Sequence, residues 1–279
     1  MQTPEGQTHR FDTFVGIDLG GGKGKNTAVA LVQRRNGDAR VSFVGTRTPG
    51  GSPFYDAQLL DFVRQHSPER TLVAIDAPLT LPVCVRCRLE TCVGLDGCRD
   101  NVIGWFRNRG RELVLGPEAR SSTKPPTTPY TQRACEVVLH RKHGVLPRET
   151  LGQGMGPLTA RAHYLRRALE SQYRLNENLI EVYPKATVHV LFDGDRARSY
   201  KRQVDAWGTR AQMLEALSHR LRFDVWREGC LSNDHCFDAV LCAYTGYLCD
   251  EQGWNMPQQD RDIFDVDGWI WFPPARSED

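Results

Sequence analysis

Several acids stand in this chain where packing alone does not explain them. Asp18 closes the apolar run FVGID, Asp76 closes LVAID, Asp234 and Asp238 lie four apart in NDHCFDAVLCAYTGYL, and Glu181 interrupts LIEVYP. Carboxylates gathered at close range repel, so they either bind a cation or force one another's pKa upward. Oxygen donors of this kind suit hard ions such as Mg2+ or Mn2+. His235, three residues before Asp238, would lie near the same face of a helix and adds a nitrogen to the set.

The elements that must position these groups can be read from periodicity. Phe14 to Asp18, Thr27 to Gln33 and Val41 to Thr46 are short and rich in Val, Ala, Phe and Thr, and read as an antiparallel meander of three strands. Phe54 to His66 has apolar residues at helical spacing, and Thr71 to Asp76 is a fourth, buried strand. Strand alternation puts Phe14, Gly16 and Asp18 on one face, and likewise Leu72, Ala74 and Asp76. If the first and fourth strands are parallel neighbours, Asp18 and Asp76 meet at one edge. Further on, a helix is expected over Leu158 to Tyr173, a strand over Leu179 to Tyr183 stopped by Pro184, and a long basic helix over Tyr200 to Arg220. A last helix over Asp234 to Leu248 turns Phe237, Leu241, Tyr244 and Leu248 toward the core, and GWIWF supplies a closing strand. The fold class is therefore α/β, a mixed sheet of a meander plus parallel strands flanked by helices. It forms one domain over 12–279, with an inserted Cys-rich and Pro-rich segment at 81–153 and a flexible tail at 1–11.

The glycine-rich turn after Asp18, GGGKGKN, invites a phosphate-loop reading and fails it. Only three residues separate Gly20 from Gly24, and Lys25 is followed by Asn26 in place of Ser or Thr. The turn leads into a second strand, so a dinucleotide fingerprint is excluded as well. It reads instead as a hairpin that leaves room beside Asp18 for a phosphodiester, with Lys23 and Lys25 placed to contact substrate phosphates.

A second chemistry is written in CVRCRLETCVGLDGC. Cys84, Cys87, Cys92 and Cys98 follow the spacing C-x2-C-x4-C-x5-C, which lets four thiolates surround one ion, either Zn2+ in the manner of a zinc knuckle or an iron-sulfur cluster. Cys135 is a replacement ligand if one of the four is not used, and Cys236, Cys242 and Cys249 read as packing residues of the late helix. Nine cysteines, an odd count, with no signal-peptide layout in MQTPEGQTHR, point to a reducing, cytoplasmic setting. No run is long and apolar enough for a membrane span. The net charge of +2 does not announce a nucleic-acid binder, since an acidic site can cancel a basic rim. Arginines at 107, 109, 111, 161, 166, 167, 174, 196 and 198, with Lys201 and Arg202, interleave with Trp105, Tyr164 and Trp207 and could form a nucleic-acid track.

Together GIDLG, AIDAPL, EVYP and the D-x-x-x-D-A run resemble the uncharacterised "domain of unknown function" family numbered 429, regarded as predicted nucleases of the ribonuclease H-like fold. The likeness spans most of Val15 to Gly246 and covers the cysteine segment least. It implies metal-ligand roles for Asp18, Asp76 and Asp238 and a supporting role for His235 or Asp234, as on the late helix of crossover-junction resolvases. Glu181 matches the motif as well, facing either solvent or a metal. The implied activity is hydrolysis of phosphodiester bonds in DNA or RNA with two Mg2+ or Mn2+ ions roughly 3.5 to 4 Å apart. Resolvase-like enzymes cut in pairs, which admits a homodimer. Two other classes fit parts of the pattern: an actin-like or sugar-kinase-like phosphotransferase, which would need a second glycine-rich phosphate turn, and a non-catalytic nucleic-acid-binding adaptor.

Overall fold

A computed structural model describes residues 9–22, 26–116, 126–192, 194–201 and 204–274. Lys23 and Lys25 fall outside them, as do most of the polar loop around Lys124 and the first eight residues. Seven strands form one sheet: β1 (Thr13–Asp18), β2 (Ala28–Arg35), β3 (Asp38–Gly45), β4 (Thr71–Asp76), β5 (Leu179–Val182), β6 (Leu221–Phe223) and β7 (Ile270–Trp271). Their order is β6-β3-β2-β1-β4-β5-β7. The first three strands are the expected antiparallel meander, and β1 pairs β4 in parallel with Asp18 opposite Asp76. β5 and β7 continue the parallel half, and β6 pairs in parallel on the far edge beside β3.

Alternation along β1 and β4 divides the core in two. Val15, Ile17, Val73 and Ile75 face a layer that includes the helices Asp56–Arg64 and Gly156–Leu169. Phe14, Leu72 and Ala74 face the helix Asp234–Glu251, which is buried from Cys236 to Cys249. That helix lies directly on the strands. A Cβ added at Gly16 would come 2.1 Å from the Ala239 carbonyl oxygen and 2.3 Å from the Ala243 nitrogen, and one at Gly246 would meet Leu72 at 2.7 Å. Only a residue without a side chain permits that approach.

Some expectations need correction. Phe11 is buried in the core and the Arg34 amide donates to the Asp12 carbonyl, so the inner end of the expected tail belongs to the sheet. The long basic helix expected over Tyr200 to Arg220 is shorter, Ala206–Leu217, where Asp205 caps the start by accepting from the Gly208 amide at 2.9 Å; a separate short helix, Gly194–Ser199, precedes it. Leu221–Phe223, at the end of that stretch, is strand β6. Pro184 does end β5, and it also starts a helix, Pro184–Leu191, where its missing N–H costs nothing. The inserted segment divides into two parts. The helix Ala134–His143 packs Ala134, Cys135, Val137, Val138 and Leu139 into the main core, whereas residues 87–97 are exposed throughout.

Candidate metal centre and cleft

The register of β1 and β4 brings the carboxylates of Asp18 and Asp76 side by side, and the close seat of the late helix delivers Asp238 to them. One oxygen from each of Asp18, Asp76 and Asp238 lies within 4.8 Å of the other two. Among the described residues no other group of three His, Cys, Asp or Glu side chains converges so tightly, and the four cysteines of 84–98 do not. Asp238 is almost fully buried, and neither of its oxygens has a hydrogen bond of good geometry; the Lys201 ammonium touches one of them as an ion pair. Buried polar atoms are nearly always satisfied, so a carboxylate without a well-formed hydrogen bond beside two others fits a cation's ligand set.

The electrostatics agree. Burial raises the Asp238 carboxyl to about 7; Lys201 opposes the rise and Asp18 adds to it. Asp76 keeps some contact with the cleft, yet loss of water, then Asp18, then Asp238 push its pKa well above the carboxylate range. Lys201 loses solvation too, but Asp238 and Asp76 outweigh that loss and hold it charged. His235 Nδ1 sits 2.6 Å from Asp18 Oδ2, and this hydrogen bond, against partial burial, raises the histidine pKa. With Nδ1 donating to the carboxylate, Nε2 is the nitrogen left for proton exchange.

Asp18, Asp76, Lys201 and His235 line a cleft of about 560 Å³, and Asp238 lies buried behind it. Its floor holds Asp18 and Asp76 and its wall Asp234 and His235, while Arg148, Lys185, Arg198 and Lys201 bring positive charge around them. The cap of the late helix is Asn233, which accepts from the His235 amide at 2.9 Å, so Asp234 is spared that task but stands apart from the aspartate trio.

Glu181 does not join the trio. It lies on β5 next to Ile75 of β4, and Arg133 takes both its oxygens, Nη1 to Oε2 at 2.7 Å and Nη2 to Oε1 at 2.6 Å, while the Leu79 amide donates to Oε2 at 2.9 Å. Arg133 also binds Glu136, whose carboxylate accepts from the amide and hydroxyl of Thr150. The strand acid is thus held by a guanidinium and lies at the border of the same cleft, outside the trio. Two members of the expected nucleic-acid track are also structural: Arg161 is buried against Asp56, Thr27 and the Gly20 carbonyl, and Trp105 is buried in the core. Tyr164 and Trp207 are exposed. Lys201, Lys185 and Tyr183 at the cleft were not singled out as site residues from sequence. Two of them follow the C-terminal end of β5 in EVYPK, a position that could have found them.

The model of a family described as "Protein of unknown function (DUF429)" matches residues 16–261, most of the chain. The chain belongs to that family. The match contains all three clustered aspartates, His235, and the four cysteines of the exposed segment. No curated protein and no solved structure matches the chain. Among the described residues of this family member no helix is long and apolar enough to cross a membrane.

Proposed function

We propose that this protein is a metal-dependent nuclease that hydrolyses phosphodiester bonds in nucleic acid. The observation that carries the reading is the convergence of Asp18, Asp76 and the buried Asp238, the first two of which line a cleft that basic side chains also line. An acidic floor suits hard cations, and positive charge around it suits the phosphates of a polyanion. The ribonuclease H-like plan supports the same reading, because a meander joined to parallel strands and a late helix places acids from both at one sheet edge.

Asp18, Asp76 and Asp238 would hold the Mg2+ or Mn2+ ions, with Asp234 and His235 at the margin. When bound, such ions supply an activated water and stabilisation of the leaving oxygen. The chain's own groups do the rest. Asp18 fixes the His235 ring through Nδ1 and leaves Nε2 to take or return a proton in the cleft. Lys201 is held charged beside Asp238 and, with Arg148 and Lys185, orients substrate phosphates. Tyr183 offers an aromatic surface for a base or sugar. A reducing, cytoplasmic setting suits a chain of nine cysteines.

The test is cleavage of labelled single-stranded, duplex, hybrid and branched DNA and RNA with Mg2+ or Mn2+, beside Asp18→Asn. Native protein should cut at least one substrate, and the variant should lose at least about a thousandfold in rate while circular dichroism shows it folded. Equal cutting by the variant, or silence of the native protein on every substrate, would overturn the assignment.

A further inference from the structure

The four cysteines of the exposed segment take no part in the cleft chemistry, and the backbone arranges them in two similar turns. The short helical turns Val83–Arg86 and Gly94–Gly97 each end in a cysteine with nearly the same extended conformation, Cys87 at φ −61° and ψ 137°, Cys98 at φ −71° and ψ 132°. Gly94 at φ +76° reverses the chain between them, a conformation that other residues adopt only with strain. Cys84 and Cys98, at the two ends, pack partly against the main core, while Cys87 and Cys92 are exposed. Residues 87–97 between these ends have no interior: every one is exposed, including Leu89, Val93 and Leu95. A segment that buries no apolar surface of its own needs a cross-link to hold a fixed shape.

We propose that Cys84, Cys87, Cys92 and Cys98 bind a single structural zinc ion. Four thiolates give the closed tetrahedral set that structural zinc takes, at about 2.3 Å per Zn–S bond; the first turn supplies Cys84 and Cys87, and Cys92 and Cys98 flank the second. The ion draws the turns together, because the sulfurs are less tightly grouped than the aspartates are. Cys87, Cys92 and Cys98 all lie close enough to Cys84 to interact with it electrostatically, so ionised they would need a cation between them. Zinc fits better than an iron-sulfur cluster because this segment leaves Cys87 and Cys92 in solvent, and zinc has no redox chemistry to protect.

The ion would anchor more than the loop. Arg86, inside the first turn, donates to Asp267 at 2.7 Å, and the other Asp267 oxygen accepts from the Ala134 amide at 2.6 Å, next to the Arg133 that holds Glu181. The segment is therefore tied to the polar cluster beside the cleft without supplying a group to it.

The deciding experiment is elemental analysis of protein purified under reducing, chelator-free conditions, comparing wild type with Cys84→Ser/Cys87→Ser and with Asp76→Asn. The expected result is one zinc per chain in the wild type and in Asp76→Asn, and loss of that zinc in the double variant. Zinc absent from the wild type, zinc lost in Asp76→Asn but kept in the double variant, or iron with inorganic sulfide would each overturn the proposal. If the double variant does not fold, cobalt exchanged into the wild type decides. Thiolate-to-cobalt charge-transfer bands with the visible bands of a tetrahedral centre uphold it, and their absence overturns it. None of these readings uses cleavage, so failure here is distinguishable from failure of the nuclease reading.

Discussion

Two clusters of buried charge lie side by side at the ends of β4 and β5, and they are built on opposite rules. Around Arg133 every oxygen has a donor: Glu181 receives the guanidinium fork and a backbone amide, and Glu136 receives the same guanidinium and Thr150. Around Asp76 the acids outnumber their partners, with Asp238 lacking any well-formed hydrogen bond beside the Lys201 ammonium and the Tyr200 hydroxyl. The first arrangement is how a fold tolerates buried charge; the second is tolerable only if something else supplies the missing positive charge. Satisfaction, more than burial, therefore separates the acids that brace this sheet from those whose oxygens are left open to a ligand.

The largest effect that would break this contrast is on stability. Arg133→Met keeps much of the side-chain volume but leaves Glu181 and Glu136 buried without a cation. It should cost about 3 to 5 kcal/mol and lower Tm by roughly 6 to 20 °C, read by calorimetry. An unchanged Tm would mean that the braced cluster braces nothing.

A smaller effect of opposite sign is expected at the other cluster. With its carboxyl raised from 3.8 to about 7, folded Asp238 keeps a proton that the unfolded chain releases, so metal-free protein loses stability as pH rises through that window and levels off above it. Asp238→Asn removes the titration. In urea with a chelator present, the variant should exceed the wild type by about 2 kcal/mol near pH 8 and by little near pH 4. A difference that does not change with pH would contradict the unsatisfied-acid account.

The smallest effect sharpens the link between Asp18 and His235. In the metal-free protein the histidine should titrate above 6.5 by NMR, because the Asp18 hydrogen bond outweighs burial. Asp18→Asn removes the carboxylate and leaves the burial, so the midpoint should fall toward the ordinary histidine value. The bond stabilises the fold below pH about 6.5, and that contribution disappears as pH rises through the raised value.

Much of this was legible in the sequence, and what was not has a common cause. Period-two alternation placed Asp18 and Asp76 on one face, and the i, i+3 and i, i+4 spacing placed His235, Asp234 and Asp238 near one another on the late helix. Glu181 looked similar because the same alternation cannot show what lies across from a strand; its partner, Arg133, is 48 residues away. Basic composition runs Tyr200 to Arg220 together as one helix, whereas the Asp205 cap starts the helix at Ala206 and leaves Lys201 before it. The cysteine turns, by contrast, are local and were visible in spacing alone.

Gly16 gives the aspartate site one further property. The backbone of β1 and the backbone of the late helix touch there, two residues from Asp18 and one from Asp238. The gap between those two carboxylates is thus gauged by main-chain atoms, which cannot spread as side chains can. A rigid gauge of oxygen donors favours the ion with the stricter geometry. Magnesium binds at about 2.0 to 2.1 Å in a near-ideal octahedron, while calcium wants six to eight looser ligands at about 2.3 to 2.6 Å. The missing side chain of a glycine buried under a helix would then act as the caliper of a metal site that it never touches.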